Sequence, residues 1–143
     1  MSAQDLKVID HSVQLTHEWI NDMAGRLGWV SKRSALRLMR VTLHAVRDRL
    51  QVAEVAHLSA QLPLMIRGIY FEGWSPEGKP NKDRHAYEFV GAISGHMDDT
   101  EEFRGREDIT SVFDLLNARI SRGEIEDVRA NLPGEIRALW PAP

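Results

Sequence analysis

Shifted by seventy positions, the chain lies over itself. Residues 59–70 read SAQLPLMIRGIY and residues 129–140 read RANLPGEIRALW, and the same register aligns 17–70 with 87–140 without a gap. Nine of the 54 aligned positions are identical: Glu18/Glu88, Gly25/Gly95, Arg49/Arg119, Glu54/Glu124, Ala60/Ala130, Leu62/Leu132, Pro63/Pro133, Ile66/Ile136 and Arg67/Arg137. Residue class is kept more widely. Trp19, Met23, Leu27, Met39, Leu43, Val46 and Leu50 stand opposite Phe89, Ile93, Met97, Ile109, Phe113, Leu116 and Ile120. Val55, Leu58, Ile69 and Tyr70 stand opposite Ile125, Val128, Leu139 and Trp140. Large apolar positions that persist while the polar residues between them drift mark two copies of one core-building unit.

Each unit reads as four helices. Trp19, Ile20, Met23 and Leu27 share one face of a first helix over about Ser12–Leu27, which stops at Gly28. Its copy begins near Asp83 and carries Phe89, Val90, Ile93 and Met97. Leu36, Met39, Leu43, Val46 and Leu50 alternate in steps of three and four along a second helix, about Ser31–Leu50, which Ser31 can cap. Ile109, Val112, Phe113, Leu116 and Ile120 form its copy, in which Gly105 should weaken the first turns by roughly 1 kcal/mol. A short third helix opens in the second unit with Ser121-Arg-Gly-Glu124, the spacing of a reciprocal capping box. In the first unit Gln51 replaces that serine, so the cap should be poorer. Leu-Pro starts the fourth helix in both units, because proline at the first helical position gives up a donor that has no partner there.

Strand signals are weak: no alternating segment is bounded by hairpin turns. The expected fold is all-α, one domain of 143 residues in which repeat 1 (about 13–72) and repeat 2 (about 83–140) pack around a pseudo-twofold axis. Two prolines and two glycines make 73–82 the linking loop. With 43% hydrophobic and 27% charged residues the chain is of globular and not disordered composition. It has no cysteine, which removes disulfides, thiolate metal sites and thiol nucleophiles and fits a reducing compartment. The stretch MSAQDLKVIDHS lacks the apolar run of a signal peptide, and no segment approaches the ~20 apolar residues of a membrane span, so a cytoplasmic location is expected.

The stretches LHAVRDRL, HLSAQLPLMIRGIYFEGW and GEIEDVRANLPGEIRALWP resemble the bacterial and archaeal family catalogued as domain of unknown function 2267. The resemblance runs from about Thr16 to Pro141, and its AQLP…RG.Y.EGW run is the most specific part. It implies an all-helical domain and carries no reaction, substrate or catalytic residue. Phe71 stands where the resemblance leads one to expect a second tyrosine, so no hydroxyl is available there.

Recognised chemical motifs are missing. HEWIN at 17–21 begins like the zinc-helix motif but has Asn21 where the second histidine must stand. His44 and His57 become Asp114 and Asp127 in the second unit, with no ligand pair evident, and all four are expected to point outward; no metal and no cofactor are expected. GAISG at 91–95 places Ser94 one position late for a nucleophile elbow. Arg49/Glu54 and Arg119/Glu124, with Arg67 and Arg137, are the best-kept charges, and each arginine ending helix two is expected to bridge to the glutamate opening helix three.

Arg33, Arg37, Arg40, His44 and Arg47 form a basic stripe along helix two. Residues 17–70 hold 8 basic and 4 acidic residues, whereas 87–140 hold 6 and 12, so the halves carry +4 and −6. Such opposition can help the halves dock or one molecule meet another. Nucleic acid is not an expected partner, since no aromatics interleave the stripe and the acidic half would repel phosphates. Phe71 and Trp74 lack counterparts in the second unit and, with Arg33, Arg37, Arg40 and Arg47 of the stripe, are candidate contacts for a ligand or partner. These features point to a non-enzymatic interaction or scaffold module able to form a dimer. Two alternatives stand beside it: a small-molecule binder with a pocket between the repeats near Phe71 and Trp74, and an enzyme with an unrecognised site.

Overall fold

A computed structural model describes the backbone of residues 3–143 and side chains from residue 6 onward. Among the described residues there are eight helices and no strand. They are α1 (Ala3–Leu27), α2 (Lys32–Arg47), α3 (Val52–Ser59), α4 (Leu64–Phe71), α5 (Ala86–Ser94), α6 (Arg106–Arg119), α7 (Arg122–Asn131) and α8 (Gly134–Arg137).

Local chemistry explains most boundaries. Gly28 adopts φ 70°, and the amides of Gly28 and Trp29 close back on the carbonyls of Gly25 and Ala24, ending α1 with the left-handed turn that glycine favours. Ser31 caps α2 by accepting from the Ser34 amide at 3.1 Å. Pro63 and Pro133 sit at the N-cap, one place before the expected first helical position. α1 begins about three turns earlier than the apolar spacing of Trp19–Leu27 required. Gly105 does not weaken α6 from within. It precedes the helix with φ 95°, a conformation that L side chains rarely adopt.

One cluster of buried residues draws on all eight helices and the segments between them. α1 lies against α2, α4 and α6, and α3 lies against α7. The aligned apolar pairs, from Trp19/Phe89 to Tyr70/Trp140, are buried at both members except the half-buried Ile69/Leu139. Along 51–70 and 121–140 the burial class agrees at every position but 54/124. Phe113 stacks on Trp140 at 4.3 Å between centroids, and Phe89 lies 6.2 Å beyond.

Candidate functional site

The well-kept charges have specific partners, most of them not the expected ones. Arg67 donates Nε to the Ser59 carbonyl (2.8 Å) and Nη2 to that of Leu62 (3.1 Å), and Arg137 does the same to Arg129 (2.7 Å) and Leu132 (2.8 Å). Both arginines therefore satisfy carbonyls at the C-terminal ends of α3 and α7, groups with no partner inside the helix. Arg49 is buried, bridges to Asp83 at 3.0 Å and lies over the Phe89 ring. Arg119 bridges to Asp22 at 3.0 Å. Neither arginine meets the glutamate that opens the next helix.

The capping box also forms only in half. Ser121 accepts from the Glu124 amide, but the Ser121 amide donates to Gln61 Oε1 (3.4 Å). At the equivalent place, the Gln51 amide donates to Asn131 Oδ1 (3.2 Å). With local capping duty taken over across the α3–α7 junction, Glu54 and Glu124 turn toward one another. Carboxylate oxygens of Glu54, Glu124 and Asp127 all lie within 4.8 Å of each other. Glu54 is buried, Glu124 half-buried and Asp127 exposed, so the cluster opens to solvent on the Asp127 side. The Oε2 atoms of Glu54 and Glu124 are both shielded and without a hydrogen-bond partner. Burial, followed by the Glu54 carboxylate beside it, pushes the Glu124 carboxyl up to about 8.

This juxtaposition was not foreseen, although the signal exists: Glu54-x-x-His57 and Glu124-x-x-Asp127 place two ligand-type residues on one face of each helix. The outward placement expected for His44, His57, Asp114 and Asp127 holds for His57 and Asp127 alone. His44 is half-buried with Nε2 at 2.7 Å from the Ile69 carbonyl, and burial lowers its pKa; Asp114 is also half-buried.

Glu124→Gln should raise stability at pH 8 by roughly 1–2 kcal/mol in chelator-containing buffer, because a neutral isostere replaces a carboxylate that burial and Glu54 disfavour. The sign is fixed by the raised pKa. The wild type is not penalised below about 4.5, where the carboxyl is protonated folded or unfolded, and loses stability as pH rises toward 8. Thermal midpoints of the two proteins should converge at pH 4 and separate at pH 8. A constant difference would refute this.

The basic stripe is largely engaged within the molecule. Arg33 is exposed, Arg37 bridges to Asp99 at 2.8 Å, and Arg40 bridges to Glu72 at 3.1 Å. Arg47 is buried and donates to the carbonyls of Tyr70 and Glu72, each at 2.7 Å. Phe71 and Trp74 are half-buried and pack edge-on, Phe71 against Tyr70 at 5.0 Å and Trp74 against Phe71 at 5.9 Å. Two open clefts of about 710 and 410 Å³ lie elsewhere, on either side of the Arg49–Asp83 pair. The larger is lined by Lys79, Lys82 and Arg84, the smaller by Arg40, His44 and His96. Neither is lined by Phe71 or Trp74.

No helix among the described residues is long and apolar enough to cross a membrane. Comparison with curated proteins finds no match. A family model described as uncharacterized conserved protein (DUF2267) matches residues 16–139. Its start coincides with Thr16, the first buried side chain among those described, so the exposed opening turns of α1 lie outside the matched region. Covering most of the sequence, the match shows that the chain belongs to the DUF2267 family of uncharacterized conserved proteins.

Proposed function

We propose that the chain is a non-enzymatic interaction module: two four-helix repeats in one pseudo-twofold domain that self-associates through the opening turns of α1. The repeat reading is supported by reciprocal contacts. Residue 61 bonds the amide of 121 while residue 131 bonds that of 51, which is the exchange a twofold axis produces. The matched arginine bonds of Arg67 and Arg137 support it in the same way. A non-enzymatic role is supported by the engagement of Arg47, Arg49, Arg67 and Arg137 with backbone carbonyls or a half-buried ion pair. The cysteine-free composition fits the reducing cytoplasm, where we place the protein.

One observation carries the self-association. Leu6, Ile9 and Val13 are 49%, 56% and 40% exposed, although their spacing forms an apolar seam on α1. No part of the described chain covers that seam. Lys7 and Asp10 beside it offer both signs of charge, so a second copy is an electrostatically acceptable partner. Neither nucleic acid nor a membrane is required. Neither of the two clefts reaches Phe71 or Trp74, where a small-molecule pocket was expected.

Sedimentation velocity tests the reading. The wild type should be dimeric at about 100 μM, a concentration suited to a small helical contact. Ile9→Asp should be monomeric and should share the wild type's thermal midpoint at concentrations low enough to dissociate the dimer, since Ile9 lies outside the core. A monomeric wild type, or a dimer that survives the substitution, would refute it.

A further inference from the structure

We propose that Glu54, Glu124 and Asp127 form a binding site for one hard divalent cation, of the Mg²⁺, Mn²⁺ or Ca²⁺ class, at the junction of α3 and α7. The geometry fits. Oxygen ligands lie 2.0–2.6 Å from such ions, so oxygens on opposite sides of one ion are roughly 4–5 Å apart, and the three carboxylates hold oxygens within 4.8 Å of one another. A second observation concerns what one of these groups lacks. Glu54 is only 8% exposed, and its Oε2 has no hydrogen-bond partner. Buried carboxylate oxygens are ordinarily paired, because leaving one unpaired forfeits its hydration with nothing in return.

The groups that usually satisfy a glutamate in a first helical turn are committed elsewhere. The amide of Ser121 is bonded by Gln61 and that of Gln51 by Asn131. Arg49 is held by Asp83 and Arg119 by Asp22. No lysine or arginine of a described ion pair bridges to Glu54, Glu124 or Asp127. The positive ends of α3 and α7 offset part of the negative charge but do not occupy the free oxygens. A dication does both. Exposed Asp127 provides the entrance and leaves room for water to complete the coordination shell. The donors are all oxygen, which selects hard cations over soft ones.

The test uses Mn²⁺ as probe, followed by calorimetric titration and by loss of the free-ion paramagnetic signal. The wild type should bind one Mn²⁺ per chain below about 1 mM, with its thermal midpoint raised by roughly 5–10 °C at a hundredfold excess over Kd. Asp127→Asn, an exposed change that should not lower the metal-free midpoint, should weaken binding at least about tenfold. Glu54→Gln combined with Glu124→Gln should abolish binding while raising the metal-free midpoint, which excludes misfolding as the cause. Mg²⁺ and Ca²⁺ should compete. Absence of saturable Mn²⁺ binding in the wild type, or binding that persists at full affinity in the double variant, would overturn the proposal; the second result would leave the carboxyls as a proton-sharing pair.

Discussion

Phe113→Ala should cost about 3–5 kcal/mol, the largest loss expected from any single substitution in the second half of the chain. Phe113 is fully buried, stacks on Trp140 at 4.3 Å with planes 6° apart, and has Phe89 6.2 Å away. The substitution removes apolar area and the ring–ring contact together, and leaves a hole whose neighbours are themselves rigid rings. A chain of this size has only about 5–15 kcal/mol of net stability. The thermal midpoint should therefore fall by roughly 10–15 °C. Denaturant unfolding followed by far-ultraviolet circular dichroism measures this. A loss under about 1 kcal/mol would mean that the three rings do not form the centre of the second unit.

Arg47→Met should cost about 2–4 kcal/mol, whereas Arg37→Met should cost about 0–1 kcal/mol. The two residues belong to one stripe in the sequence and to different physical situations in the fold. Arg37 reaches Asp99 across solvent, with both side chains substantially exposed. Arg47 is 4% exposed and holds the carbonyls of Tyr70 and Glu72 at the end of α4, with Asp48 on its Nε. Methionine preserves much of the volume but leaves those carbonyls without their donor. Chemical denaturation of both variants separates the cases. Equal, small effects would make Arg47 a surface group.

The all-helical class was readable because burial follows apolar periodicity, and the spacing of Met39, Leu43 and Val46 reports directly on one helical face. Ser31 was readable as a cap because capping is local, and so was Gly28 as a stop. The reach of long side chains was not. Arg49 and Arg119 were expected to meet glutamates five residues on, yet their partners are Asp83 and Asp22, which only tertiary packing brings near. The Glu124 cap failed for the same reason, since Gln61 arrives from the turn between α3 and α4 and takes the amide. Glu54, Glu124 and Asp127 carry an i, i+3 pattern in the second unit, but their meeting depends on α3 lying against α7. The first nine residues of α1 were missed because Leu6 and Ile9 face no core.

Differential scanning calorimetry of the intact chain tests the central claim, that two repeats bury their apolar faces in one shared core. The account predicts a single transition with equal calorimetric and van't Hoff enthalpies, of about 100 kcal/mol near 60 °C. Two separable transitions of roughly half that enthalpy would show the halves unfolding on their own, and would contradict it.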